Sequence, residues 1–135
     1  MLGERLGEET GQTTGRRVLP GADGLHPIVE ASFEGSGTVL GAPYQNVGTY
    51  TATPRADGTF SGLGRGVVMT ADGAAVMWSG TGIGRFTETG AQVWRGALLY
   101  ETTSEKYARL NSVVGMFEYE VSPDGKTSGT FTEWK

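Results

Sequence analysis

The 135 residues carry a net charge of −4 and include 23 glycines, one histidine (His26) and no cysteine. The lack of cysteine excludes a disulfide framework and a thiolate metal site, and the dispersed basic residues argue against a nucleic-acid partner. We expect one domain, residues 1–135, that uses no metal and no cofactor.

The N-terminal segment, Met1–Leu19, predicts a long first strand. It is polar and alternates weakly, and we expect it to break near Gly7 or Gly11. It has charges where a signal peptide needs an apolar run, and no stretch approaches the ~18 apolar residues that a membrane-spanning helix needs. The sequence therefore predicts a soluble cytoplasmic protein with no membrane partner.

Two further strands follow a loop rich in proline and glycine at residues 20–27. Val29–Val39 alternates between small or apolar residues and polar ones, which predicts a strand with one face in water. The chain is then predicted to turn at Gly41–Pro43. Val47–Thr53 contains the threonines and the aromatic residue that strands prefer, and it predicts a third strand.

A recurring turn signal divides the rest of the chain into hairpins. Ala-Asp-Gly occurs at residues 56–58 and 71–73, Pro-Asp-Gly at 123–125, and the looser Glu-Thr-Gly at 88–90. A three-residue hairpin loop places its last residue in the left-handed conformation, which glycine adopts without steric cost. These turns predict antiparallel hairpins joined in sequence, and the loop length fixes the register of each pair.

The predicted register places an aromatic residue opposite a glycine four times. The predicted pairs are Tyr50 with Gly64, Trp78 with Gly66, Trp94 with Gly84 and Tyr119 with Gly129. A large ring can cover the bare backbone of a glycine on the neighbouring strand. The pairs therefore predict rings packed against the sheet on one of its faces.

The same register sorts the side chains of strands three to six onto two faces. One face has the aromatic residues, most of the glycines and no charge, whereas the other carries Arg65, Arg85 and Arg95. Because unpaired charges avoid protein interiors, we expect the uncharged face to lie inside. If the faces were reversed, the three arginines would line the interior and could bind an anion.

The predicted outer face also carries many aliphatic side chains. They are Leu63, Val67, Met69, Met77, Ile83, Val93 and Leu99. A contiguous exposed apolar patch usually marks a partner surface, and symmetric self-association is the common outcome. We therefore expect a homo-oligomer.

Thr102–Asn111 interrupts the strand pattern. Thr102 and Glu105 have the spacing of a capping box, which predicts one or two helical turns. Val113–Val121 and Thr127–Trp134 then predict strands seven and eight. Eight consecutive antiparallel strands with short turns predict an all-β, up-and-down antiparallel barrel with one short helical turn, and a two-sheet β-sandwich is the alternative.

The inward side chains able to orient a ligand are Tyr50, Trp78, Gln92, Trp94 and Tyr100. An eight-stranded barrel has room for side chains alone or for one small ligand. Three functions stay open: binding of a small apolar or amphipathic molecule, cofactor-free cyclisation or isomerisation, and a structural self-assembling subunit with a filled core. A buried carboxylate or tyrosine beside a cavity would favour the enzyme.

Several segments resemble a small uncharacterised family of bacterial and archaeal proteins. They are MLGE at Met1–Glu4, GRRVL at Gly15–Leu19, VVMTADG at Val67–Gly73, ARLN at Ala108–Asn111, FEYEV at Phe117–Val121 and EWK at Glu133–Lys135. This resemblance adds no site residues. In length, strand count and glycine pattern the chain also resembles the allene oxide cyclase-like barrels. That resemblance implies an eight-stranded barrel, often oligomeric and sometimes a cyclase or isomerase.

Overall fold

A computed structural model describes all residues from Met1 to Lys135, and the chain forms a closed antiparallel barrel. The strands are β1 (Leu2–Leu19), β2 (Ile28–Val39), β3 (Ala42–Pro54), β4 (Phe60–Thr70), β5 (Ala75–Phe86), β6 (Gln92–Glu101), β7 (Val114–Val121) and β8 (Lys126–Trp134). Each strand pairs with the next, and β8 pairs with β1, so no strand edge is left open. The up-and-down barrel is confirmed, and the sandwich alternative is wrong.

Glycine closes four of the hairpins at the predicted positions. Gly58, Gly73, Gly90 and Gly125 have φ values of +87° to +92°. In each turn the glycine amide donates a hydrogen bond of 2.9–3.1 Å to the carbonyl three residues earlier. The turn chemistry predicted from the sequence is therefore confirmed.

The β2–β3 turn differs from the predicted one. It is a two-residue loop, Leu40-Gly41, in which φ is +49° and +82°. Tight hairpins of this length need positive φ at both loop residues. Pro43, which suggested a longer turn, lies in β3 opposite Thr38. A proline near the start of a strand is tolerated there despite its missing amide hydrogen.

Strand β1 is irregular, but mostly not where a break is predicted. Its register shifts between Thr13 and Gly15 on the β2 side, and it also shifts before Gly7 on the β8 side. No shift occurs at Gly11, where a Cβ atom would lie 2.1 Å from the Glu34 carbonyl oxygen. Gly11 therefore allows a close backbone approach, and the irregularities elsewhere bend this long strand around the barrel.

The predicted register is confirmed at all four aromatic–glycine pairs. The two tryptophans pack most closely, because a Cβ atom on Gly66 would lie 2.5 Å from Trp78 Nε1 and one on Gly84 would lie 2.6 Å from Trp94 Cδ2. The two tyrosine pairs are looser, with the closest ring or Cβ atom of the tyrosine at 3.1–3.2 Å.

The predicted inside and outside faces are confirmed. Trp94 is only 4% exposed, whereas Arg65, Arg85 and Arg95 are all exposed. Arg95 pairs with Glu118 on the outer surface, with Nε 3.3 Å from Oε1. The reversed arrangement, in which arginines would line the interior, is wrong.

The outer face of β3 to β6 carries the predicted aliphatic residues. Leu63 and Leu99 are 66% and 57% exposed, and Val93 is half-buried. Val47 belongs to the same surface, since it lies opposite Val67 on β4. Self-association through this surface stays a prediction.

A 3₁₀ helix, Glu105–Ser112, closes one end of the barrel. Its Tyr107 and Leu110 are 1% and 0% exposed. They belong to a buried cluster that also contains Leu6, Val39, Tyr44, Val76 and Val113. This cluster is the main apolar core, and we call it the plug. No helix of the structure has the length and apolar character needed to cross a membrane.

The β4–β5 turn anchors the helix. Asp72 accepts hydrogen bonds from Lys106 Nζ at 2.6 Å and from Tyr107 Oη at 2.8 Å. The bond from Lys106, with those from Thr70 and Tyr107, holds the pKa of Asp72 well below its usual range. The Ala-Asp-Gly turn therefore both reverses the chain and holds the plug in place.

The predicted capping box is wrong. Ser104 precedes the helix and makes no side-chain capping hydrogen bond. The Thr102 hydroxyl instead donates to the Ala75 carbonyl oxygen at 2.7 Å and so ties the end of β6 to β5. The same hydroxyl oxygen accepts a hydrogen bond of 3.1 Å from the Ser104 amide, one residue before the helix, so Thr102 supports the approach to the helix and does not cap it with Glu105.

Candidate functional site

A cavity of about 130 Å³ lies inside the barrel. Leu110, Val39 and Val76 of the plug line one part of its wall, and Tyr50 and Trp94 line another. The volume is close to the ~150 Å³ of an apolar cavity that binds benzene. The interior therefore has room for one small ring or for part of a larger molecule.

The structure brings four of the five predicted site residues together in the cavity wall. They are Tyr50, Trp78, Trp94 and Tyr100. Gln92 does not line the cavity and instead accepts a hydrogen bond of 3.2 Å from Trp94 Nε1. A role of these residues in ligand binding stays a prediction.

Packed rings form the part of the wall that lies away from the plug. The ring centroid of Tyr50 is 5.6 Å from that of Trp94 and 6.3 Å from that of Tyr119, both edge-on. Phe33 packs beside them at a tilt, with its ring centroid 5.6 Å from that of Tyr119. Rings in such contact hold each other in place, so the cavity shape is set before any ligand enters.

Glu9 on β1 places a carboxylate in this mainly aromatic and aliphatic wall. Its Oε1 accepts hydrogen bonds from Tyr44 Oη at 2.8 Å and from Asn46 Nδ2 at 2.9 Å. Asn46 Oδ1 in turn accepts a bond of 2.8 Å from Trp78 Nε1. These four residues, Glu9, Tyr44, Asn46 and Trp78, form the Glu9 network, which links β1, β3 and β5.

Glycines give the Glu9 side chain room to reach β3. Glu9 lies between Gly37 on β2 and Gly129 on β8. Its carboxylate crosses β2 above Gly35, where a Cβ atom would lie 2.5 Å from Glu9 Oε2. Side chains at these positions would block the path to Tyr44 and Asn46. The β2 glycines are therefore part of the site, although they carry no chemistry.

The two oxygens of Glu9 differ in their surroundings. Oε1 is held by two donors, whereas Oε2 accepts no hydrogen bond from the chain. Burial raises the pKa of Glu9 above its ordinary value, and the bonds from Tyr44 and Asn46 oppose that effect in part. The site thus combines a fixed carboxyl group, an increased proton affinity and one free oxygen.

Two tyrosine hydroxyls in the interior lack a partner. Tyr100 Oη and Tyr119 Oη are buried and form no hydrogen bond of ordinary geometry. Burial raises the pKa of both tyrosines, so both keep their proton at physiological pH. An unpaired buried hydroxyl costs about 1–3 kcal/mol, so these two tyrosines lower the free energy of unfolding.

Replacing Glu9 with glutamine should stabilise the protein at neutral and alkaline pH. The glutamine oxygen can still accept the bonds from Tyr44 and Asn46, while the buried charge is removed. The pKa of Glu9 is higher in the folded protein than in the unfolded chain. The contribution of Glu9 to the free energy of unfolding is therefore fully present below its unfolded pKa of about 4.3, and it is lost as the pH rises through the folded-state pKa.

Thermal melts of wild type and Glu9→Gln between about pH 4 and pH 9 test this expectation. The melting temperatures should converge in acid and separate by roughly 3–5 °C in favour of the variant at high pH, a shift that corresponds to about 1 kcal/mol. Glu8→Gln, at the exposed neighbour on the opposite face of β1, should show no such trend. A gap that narrows with rising pH would contradict the buried charge.

No protein-family model matches the chain, and no curated protein matches it. Solved structures do share its fold. A protein of unknown function from Clostridium acetobutylicum ATCC 824 matches over 98% of both chains, with 17% identity and a TM-score of 0.84. A beta-barrel like protein from Acinetobacter baumannii AYE matches over 99% of this chain and 96% of its own, with 14% identity and a TM-score of 0.82.

A structure described as an enzyme from Penicillium herquei is also similar. It matches over 96% of this chain and 92% of its own, with 20% identity and a TM-score of 0.66. At these identities the likeness concerns the fold alone. The chain is a small β-barrel whose similar structures include proteins of unknown function.

Proposed function

We propose that the protein is a cofactor-free enzyme that moves a proton within a small, largely apolar molecule held in the barrel, with Glu9 as the acid–base group. One observation carries this proposal: a half-buried carboxylate in the cavity wall has one oxygen held by two donors and the other oxygen free. Carboxyl groups with a raised pKa beside a cavity are typical of acid–base sites.

The proposed reaction is an isomerisation. Oε2 of ionised Glu9 takes a proton from a C–H group next to a carbonyl or double bond, and the C–H electron pair enters the conjugated system. The same carboxyl group then returns the proton to a different carbon of that system. All atoms and electrons stay in the substrate and Glu9, so the step needs no oxidant or reductant.

The cavity supports this chemistry in two ways. Its wall is mainly aromatic and aliphatic, which favours an apolar substrate and holds it close to Glu9. Its low polarity also makes the free carboxylate a stronger base than it would be in water. The cavity size suits a reacting group of about one small ring or part of a larger molecule.

The comparisons supply context for the proposal. The Penicillium herquei structure is described as an enzyme. The resemblance to allene oxide cyclase-like barrels, seen in length, strand count and glycine pattern, stays a prediction. A shared fold alone does not carry an activity across, so the proposal depends on Glu9. The cytoplasmic location and the resemblance to an uncharacterised bacterial and archaeal family stay predictions.

Binding without catalysis is the second candidate function. The aromatic wall favours it, because packed rings form a ready site for an apolar molecule regardless of Glu9. A binding protein would retain its ligand without exchanging protons with it. The two functions therefore differ in a measurable way.

Deuterium exchange into 2-indanone in D₂O, followed by ¹H NMR, tests the proposal. This small, apolar ketone has acidified C–H groups beside its carbonyl. Wild type should accelerate the exchange above the buffer rate, and Glu9→Gln should reduce the accelerated part by about 100-fold. Glu8→Gln is the matched control, because Glu8 is a glutamate on the same strand with its side chain in solvent.

Two outcomes would overturn the proposal. One is an exchange rate in wild type no higher than in buffer. The other is equal acceleration by wild type and Glu9→Gln, which would remove Glu9 from the reaction. If 2-indanone binds in the first case, as judged by quenching of tryptophan fluorescence, the binding function is the one that stands.

A further inference from the structure

We infer that Asn46 is a positioning residue that, held by Trp78, restricts proton transfer by Glu9 to Oε2. This inference rests on the proposed function, since it specifies which atom of Glu9 reacts. Asn46 is 6% exposed and touches both partners, with Trp78 Nε1 2.8 Å from Oδ1 and Glu9 Oε1 2.9 Å from Nδ2.

The orientation of the Asn46 amide follows from the chemistry of its neighbours. An indole N–H can donate a hydrogen bond but cannot accept one. The Asn46 atom that faces Trp78 must therefore be the oxygen. Its nitrogen then faces Glu9 and donates to Oε1, whether or not Glu9 is ionised.

Tyr44 reinforces this arrangement at the same oxygen. Its hydroxyl lies 2.8 Å from Glu9 Oε1, and burial, with the nearby Glu9, raises the pKa of Tyr44. The hydroxyl therefore stays protonated and donates a hydrogen bond to Oε1. Because two donors already point at Oε1, a proton bound to Glu9 must sit on Oε2, which has no partner in the chain.

The arrangement has a consequence for the substrate. A carboxyl group that could protonate either oxygen could present its proton in two directions. Here only Oε2, the oxygen that lies over Gly35, can take and return it. The reacting C–H group must therefore meet Oε2 and not Oε1, which gives the site a fixed geometry for a small substrate.

Carboxyl ¹³C NMR of Glu9 tests the inference independently of activity. Protein labelled at the glutamate carboxyl carbons would be titrated, with Glu9→Gln identifying the Glu9 signal. Asn46→Leu removes a donor from the ionised form, so the Glu9 signal should titrate at a higher pH than in wild type. Trp78→Phe frees the Asn46 amide to turn, and it should shift the titration in the same direction.

The 2-indanone exchange should follow the titration. In Asn46→Leu and Trp78→Phe the exchange rate should rise with pH only at higher pH than in wild type. At the pH where the wild-type rate is half its maximum, the rate of each variant should be lower by about tenfold. Tyr107→Phe is the matched control. Tyr107 belongs to the plug but does not line the cavity, and the substitution removes only its hydroxyl, which is hydrogen-bonded to Asp72. The Glu9 titration and the pH dependence of the exchange rate should both stay as in wild type.

The outcomes separate this inference from the proposed function. If Asn46 only supports the fold, Asn46→Leu lowers the melting temperature without moving the Glu9 titration, and the inference is overturned. Asn46→Leu alone decides this point if Trp78→Phe does not fold. The proposed function fails by a different result, namely unchanged exchange in Glu9→Gln.

Discussion

Truncating Leu110 to alanine should lower the free energy of unfolding by about 4 kcal/mol, the upper part of the range for buried leucines. Leu110 is fully buried in the plug, where the 3₁₀ helix covers one end of the barrel. Its neighbours belong to several strands of a closed barrel and can move little to fill the space. The lower free energy of unfolding therefore has two causes, the loss of buried methyl groups and the cavity that they leave.

Urea unfolding followed by circular dichroism measures this effect. Leu63→Ala is the matched control, because it makes the same chemical change at an outward side chain that is 66% exposed. It should change the free energy of unfolding by less than about 1 kcal/mol. A loss below about 1 kcal/mol for Leu110→Ala would show that the helix does not close the barrel in solution.

The Leu110 variant also reports on the cavity. Leu110 lines the cavity as well as the plug, so truncation adds volume to a space that already exists. An apolar molecule such as indane should then stabilise the variant more than the wild type, because it fills the larger space. The same substitution thus probes both the core and the binding volume.

Local signals in the sequence account for most of the fold. The Asp-Gly turns and the Thr-Gly turn at residues 88–90 fix their own loop length, and a fixed loop length sets the register of the strands that follow. For that reason Trp78 falls opposite Gly66 and Trp94 opposite Gly84, as the sequence predicts. Hairpins carry this information because their pairing partners are close in sequence.

Glu9 shows where the sequence pattern stops being informative. The alternation in β1 is weak, and its register shifts on both sides, so counting along the strand does not assign Glu9 to a face. Its partners Tyr44 and Asn46 lie more than 30 residues away and are brought near only by barrel closure. The available signal is the pair of β2 glycines, Gly35 and Gly37, which leave space for a neighbouring side chain.

The interior combines features that stabilise the barrel with features that do not. The aromatic layer and the plug bury apolar surface, whereas the carboxylate of Glu9 and the unpaired hydroxyls of Tyr100 and Tyr119 cost stability. These costly groups lie in the wall of one cavity. Concentration of unfavourable groups at one place is typical of sites kept for function.

Adding a single methyl group at Gly84 should destabilise the protein by about 3 kcal/mol, the upper part of the range for overpacking. The new Cβ atom would lie 2.6 Å from two ring atoms of Trp94, which is 4% exposed and held by Tyr50. An indole fixed on several sides cannot withdraw as a flexible side chain would. The clash therefore spreads to the strand pair or displaces the ring.

Urea unfolding and tryptophan fluorescence of Gly84→Ala measure both consequences. The emission of the variant should shift to the red, because a displaced Trp94 ring becomes more exposed to water. Gly15→Ala is the control, since a Cβ atom there meets nothing within 4 Å, and it should be neutral or stabilising by up to about 1 kcal/mol. Equal stability of Gly84→Ala and Gly15→Ala would mean that the rings do not pack on the strand glycines, and the aromatic wall of the cavity would then lose its physical basis.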